Sequence, residues 1–289
     1  GIAMGYKAYT TGAEGGLAIG ETAASYSGKG IAMGYGATVG SSNGSNTSGI
    51  SIGANAGNNW LSGTEDVAIG RLSGQYNNGN TNYSFGSFAG SYVTGADNYG
   101  QGISAGRYVD GSQNTAIGYH TGQVVVGNSN FSAGFSASGN DASGTLGSTV
   151  SGGQRVFGDN NLSLGTNAGR NIGVGTLSSS NTGALTATTT IASNNNISFG
   201  NGANNFDSTS PLTTSNNVGI GTSAQSAGGN AVAVGNQAQA LGINAISIGT
   251  GNIVSGNNSG AIGDPTTITG SGSYTIGNNN GTVSANNAG

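Results

Sequence analysis

The chain has 289 residues, 59 of them glycine, and only 6% are charged, against roughly a quarter in an average soluble domain. Two prolines, with no glycine at every third position, exclude collagen. Ten acidic and six basic residues give a net charge of −4 and no basic stripe, which excludes phosphate-tracking nucleic-acid binding, and the lack of cysteine removes disulfides and thiolate metal sites.

From the N-terminus, Ile2-Ala-Met-Gly5, Leu17-Ala-Ile-Gly20 and Ile31-Ala-Met-Gly34 repeat one four-residue phrase. It returns at Gly53 and then, every 16 residues, at Gly70, Gly86, Gly102, Gly118 and Gly134. Near the C-terminus the step is 14, at Gly221, Gly235, Gly249, Gly263 and Gly277. A unit this short, repeated this often, is a stacked repeat rather than a globular domain. Low charge combined with periodic apolar residues points to order, since disordered chains are charged and poor in apolar residues.

Within a repeat the pattern is that of a strand. In Asn230-Ala-Val-Ala-Val-Gly235, Val232 and Val234 share one face, Ala231 and Ala233 the other. Before the marker glycine stands a bulky residue such as Met4, Ile69, Phe85, Leu164 or Ile248, with Gln101 and Ala133 as exceptions. The residue before that is always small, as in Ala18, Ser84, Gly100 or Thr275. A face of Ala, Ser and Gly in place of Lys and Glu is expected to be buried against something close by. A second small phrase follows, as from Gly70 to Gly74 or Gly102 to Gly106, and then a turn rich in Asn, Gly, Ser and Asp, residues that tolerate left-handed backbone. Each unit thus reads strand, corner, short strand, looser corner, the looser corner absorbing length changes. About 17 such coils, one strand spacing apart, make a rod of roughly 80 Å. Glycine at this density disfavours helix by about 1 kcal/mol per site.

The fold class is therefore all-β, a parallel β-roll or solenoid of 14–16-residue coils. Repeats occupy 1–142 (steps mostly 14–19, 16 in the middle) and 216–289 (steps of 14), while 143–215 is irregular with long loops. There Thr186–Ala192 reads as a strand and Ser210-Pro211 as a turn, and Gly147, Gly165, Gly175 and Gly200 suggest that coils persist with long excursions between them. So narrow a coil buries only a thin row of side chains. Three rolls side by side about an axis would cover the second, small apolar face, so a homotrimer is the expected assembly and a single-chain solenoid the alternative. No run of 18 apolar residues exists to span a membrane as a helix. The chain starts inside a repeat and ends without a closing cap, so it reads as a segment of a longer polypeptide whose targeting and anchoring signals lie elsewhere.

Chemistry is sparse. His120 is the only histidine, so no two-histidine metal motif exists, and it is expected on a corner. Ser51 and Ser104 fall in Gly-x-Ser-x-Gly patterns, but at repeat positions rather than on a strand-to-helix elbow. The carboxylates are scattered and only Glu65 and Asp66 are adjacent, so no catalytic, cofactor or metal site is expected, a lone calcium on a loop being the one left open. The sequons at Asn82 and Asn196 follow from abundant Asn and Ser. Aromatic residues concentrate between 60 and 108. Trp60, Tyr76, Tyr92, Tyr99 and Tyr108 are the candidate surface-contact residues, weighed against a plain role in covering corners of the stack.

The phrases at Asn230–Gly242 and Asn244–Gly249 resemble the YadA-like head of trimeric autotransporter adhesins. The 16-residue variant, as in Asn114-Thr-Ala-Ile-Gly118-Tyr-His-Thr-Gly122, resembles repeats of bacteriophage fibres. The resemblance implies left-handed parallel β-rolls, trimerised side by side, that bind host or matrix surfaces. It implies a non-enzymatic extracellular fibre, on a virion or a bacterial surface, whose partners are two further copies, the rest of the fibre or virion, and a host-cell glycan or protein. The expectation leans to a phage tail or attachment fibre, with a bacterial adhesin head as the alternative. An ice- or polysaccharide-binding solenoid is the reading from another class; the ice variant needs a threonine ladder, and Thr115 and Thr275 are isolated.

Overall fold

The computed structural model describes residues 1–11, 15–40, 48–59, 63–136, 149–150, 156–179, 185–206 and 210–288. Sixteen short strands, from Ile2–Met4 to Tyr274–Ile276, form one parallel sheet, each paired with the strand of the next coil. The register never slips relative to the phrase: Ala3 pairs with Ala18, Ala116 with Ser132, Ser247 with Ala261. The short second strands form shorter parallel sheets. One joins Tyr9–Thr10, Ala24–Ser25 and Thr38–Val39. Another joins Val93–Thr94, Val109–Asp110, Val125–Val126 and Val156–Phe157, and a five-stranded one runs from Gln225–Ser226 to Gly281–Val283. The chain is a β-solenoid. Fifteen strand spacings give the long sheet a length of about 72 Å, a little less than the sequence suggests.

The marker glycine is fixed by two constraints. Its φ lies near +130° in coil after coil (Gly20 +130, Gly102 +128, Gly235 +132), a region that residues with a side chain avoid. A Cβ there would also strike the carbonyl oxygen of the next coil's marker: Gly118 for Gly102, Gly249 for Gly235. The corner that follows holds its second residue at φ near +55°, as at Thr22, Asn55, His120 and Gln237.

The alternation is as the sequence predicts, but the faces are assigned the other way. The small residues do not pack against a neighbouring roll; they fill the inside of their own coil. Ala18, Ala32, Ala68, Ser163 and Ala233 are fully buried. The bulky row points outward, with Ile69, Ile117, Leu164 and Ile248 each 37% exposed in the single chain. Space decides this. A Cβ on Gly122 would stand 2.7 Å from the Cβ of Ala116, and one on Gly100 2.7 Å from the carbonyl of Ala105. Two walls this close leave room for small residues, Ala, Ser or Gly in the body of the stack, with Thr275 at its last coil. Further round the same coils the second wall supplies bulk: Val93, Val109, Val125, Val156, Ile172 and Leu212 form one buried cluster.

The long sheet runs without interruption through the irregular region, from Phe131–Ala133 to Leu162–Leu164, Ile197–Phe199 and Val218–Ile220. Gly165 and Gly200 are true markers, at φ +127° and +128°. Gly175 instead belongs to an antiparallel hairpin, Val174–Ser179 with Leu185–Ile191, that emerges between two coils; the expected strand at 186–192 is its second arm. Gly147 lies outside the described residues.

Candidate interaction surface

Two columns of side chains cover the outer face of the long sheet. One contains Ile2, Leu17, Ile31, Ile50, Val67, Tyr83, Tyr99, Thr115, Phe131, Leu162, Ile197, Val218, Val232, Ile246, Gly260 and Tyr274, one residue per coil. The other is the bulky row before each marker glycine. Only Gln101, Thr115 and Gly260 break the apolar character of the two columns, apart from the small Ala133. Strand alternation forces these residues out, because their neighbours occupy the lumen.

The aromatic residues form a second feature. Tyr76, Tyr92 and Tyr108 occupy one corner position in successive coils, all at φ between 55° and 61°. Their rings stack at 4.7 and 5.0 Å between centroids. Tyr92 and Tyr108 are 6% and 2% exposed, so their rings cover the corner and Tyr76 ends the stack half-buried. Burial and the neighbouring phenols push the Tyr92 hydroxyl up to about 12, and burial raises Tyr108 while the adjacent Arg107 guanidinium pulls it down. Arg107 lies 4.6 Å above the Tyr108 ring, donates to its hydroxyl, and with Arg71 flanks Phe88, at 5.4 and 4.7 Å. Tyr99 is apart from this stack, on the outer sheet face, where its hydroxyl donates to Gln101 Oε1. Trp60 lies outside the described residues. A separate exposed stack pairs Tyr119 with Phe135 at 5.1 Å, with His120 against Tyr119 on the expected corner.

The feature that the sequence reading did not pick out is a buried ladder of amides. Asn82, Asn98, Asn114, Asn130, Asn161, Asn196 and Asn217 each stand four residues before a marker glycine. From Asn98 onward, both the backbone N–H and Nδ2 donate to Oδ1 of the rung before, at 2.9–3.1 Å. In Asn82, Asn98, Asn114 and Asn130 Nδ2 also donates to a glycine carbonyl, of Gly95, Gly111, Gly127 and Gly158 in turn. The signal was a column of Asn at a fixed offset, legible only once the marker is aligned. It also disposes of the two sequons, since Asn82 and Asn196 are buried with their amides engaged.

The remaining motifs do not converge. Ser51 is fully buried and its Oγ donates to the Thr38 carbonyl, while Ser104 is a corner residue at φ 55°. Glu65 is exposed where its neighbour Asp66 is buried. Among the described residues, no three His, Asp or Glu side chains come together to hold a metal, and no helix is long and apolar enough to cross a membrane. Thr115 stands between Tyr99 and Phe131 in the sheet rather than in a threonine ladder. No protein-family model matches the chain, and no curated protein matches it.

Proposed function

We propose that this chain is a stretch of a non-enzymatic extracellular fibre. In it three copies pack side by side through the outer faces of their long sheets, and the corners present a surface to a host-cell glycan or protein. One observation carries the reading: two apolar columns run along the long sheet and are left partly exposed, with no element of the described residues packed over them. A strip of about 72 by 10 Å is on the order of 700 Å² per copy, larger than the usual apolar patch of a monomer and close to one side of a standard interface. A second and third copy of the same sheet are chemically matched occupants.

The number three comes from the resemblance to YadA-like heads and phage fibre repeats, and from the closure that a cyclic assembly gives to a thin repeat. The 16-residue coils between Gly70 and Gly134 favour the phage-type attachment fibre over a bacterial adhesin head. Ile103, Tyr119 and Phe135, exposed in successive coils of that stretch, mark where a ligand would meet the rod. Static light scattering tests the assembly. A mass near three times 27.8 kDa supports it, a mass near twice that value replaces the trimer by a pair, and 27.8 kDa itself overturns the reading.

A further inference from the structure

The amide ladder does not begin with an amide. Its first rung is Asp66, four residues before Gly70 as every asparagine stands four before its own marker. Asp66 is 1% exposed, and its Oδ1 accepts from the backbone N–H of Asn82 at 2.7 Å, as each asparagine Oδ1 accepts from the rung that follows. Oδ2 is then left in the slot that the other rungs fill with Nδ2. In Asn82, Asn98 and Asn114 that nitrogen donates to the carbonyl of the glycine 13 residues on. For Asp66 the matching glycine is Gly79. Its carbonyl oxygen and Asp66 Oδ2 both crowd the point beside Gly63 where a Cβ would stand. With the carboxylate ionised, two acceptors face the same space, and Oδ2 is buried without a hydrogen-bond partner.

We propose that Asp66 is a proton-binding site: the fold holds it as a neutral carboxylic acid whose Oδ2–H donates to the Gly79 carbonyl, and loss of that proton loosens the corners at Gly63 and Gly79. A proton satisfies both oxygens at once. A metal ion would need several more oxygen ligands, and among the described residues no three His, Asp or Glu side chains come together to supply them.

Burial drives the carboxyl from 3.8 up to about 7, against two opposing hydrogen bonds from Asn82. No charged group contributes. Glu65 and Asp97 are exposed, Tyr83 turns to the outer face, and the facing strand Gly49–Ile52 carries nothing titratable. The segments 41–47 and 60–62 have no titratable residue in their sequence. The sign follows from linkage. The folded state binds the proton more tightly than the unfolded chain, so the stabilisation is fully present below pH 3.8 and is lost as pH rises through about 7. The rod is therefore firmer at this end in mild acid than in mild base.

The experiment compares thermal melts of the whole chain and its Asp66→Asn variant from pH 5 to pH 9. The variant replaces the acid by the amide that every later rung carries, so it has a donor for Gly79 at any pH. The melting temperature of the variant minus that of the wild type is expected to rise from pH 5 up to about pH 7 and to level off above it. A difference that stays constant over the range overturns the proposal. Infrared difference spectra between the two proteins at pH 6 give a readout independent of stability. A carboxylic-acid carbonyl band in the wild type alone is expected, and a carboxylate pair of bands in its place overturns the assignment.

Discussion

Asn114 Nδ2 sits 3.1 Å from Asn98 Oδ1 and 2.9 Å from the Gly127 carbonyl, so one side chain ties a coil to the preceding one and closes its own corner. Its Oδ1 in turn accepts two hydrogen bonds from Asn130. Replacing Asn114 with Ala removes the amide and leaves the two Asn130 donors and the Gly127 carbonyl short of partners in a site closed to water. Buried groups left unpaired cost about 1–3 kcal/mol each, so Asn114→Ala is expected to destabilise by about 3 kcal/mol or more. Chemical denaturation of the two proteins checks this. A midpoint unchanged from wild type would mean that the ladder merely follows the stack.

The glycines divide into those held by contact and those held by backbone conformation alone. Gly102 has φ +128°, and a Cβ on it would run into the Gly118 carbonyl. Gly281 has φ +69° and nothing within 4 Å of where a Cβ would stand. Alanine at Gly281 is expected to cost about 1–2 kcal/mol for left-handed backbone and no more. Alanine at Gly102 meets a region worth about 1–3 kcal/mol in strain, and the clash comes on top of it. Melting curves should rank the two variants in that order, with Gly102→Ala far below Gly281→Ala. Equal losses would show that the inter-coil contact at the marker can relax.

Much of the architecture was legible because the constraint at the marker is severe. Only glycine survives at φ near +130° beside a stacked carbonyl, so the phrase had to recur at every coil and gave period, strand positions and corner positions together. Which face is inside was not legible. Alternation in Ala231–Val234 separates two faces, but the lumen's width is set by how tightly the coil closes, and that depends on backbone geometry no single repeat displays. The sequence placed the small face against a neighbouring roll; the narrow space behind the first strand instead takes it inside the chain's own coil. For Tyr92 and Tyr108 the sequence left two roles open, surface contact and covering of the corners, because a left-handed corner can turn a ring outward or fold it back over the stack; both rings are folded back. The continuity of the long sheet past Gly134 was half visible. The markers at Gly165 and Gly200 carry the phrase, but spacings of 31 and 35 residues obscure the period.

Ala116 and Ile117 are adjacent and face opposite ways, which lets one pair of substitutions separate coil from assembly. Ala116 is 3% exposed and lies where a Cβ on Gly122 would already be too close. Leucine at 116 therefore has no space inside the coil, and overpacking of about 1–3 kcal/mol is a lower bound where both walls are backbone. Ile117 points to the outer face and touches none of that space. Lysine there leaves the coil's own packing intact, yet it puts a charge in the middle of the proposed apolar seam between copies, repeated once in every copy. Ala116→Leu is thus expected to lower the melting temperature sharply. Ile117→Lys is expected to keep the β circular-dichroism signal while reducing the mass by light scattering to that of one chain. If Ile117→Lys instead leaves an oligomer of undiminished mass, the outer face of the long sheet is not the seam, and the copies must meet through the corners.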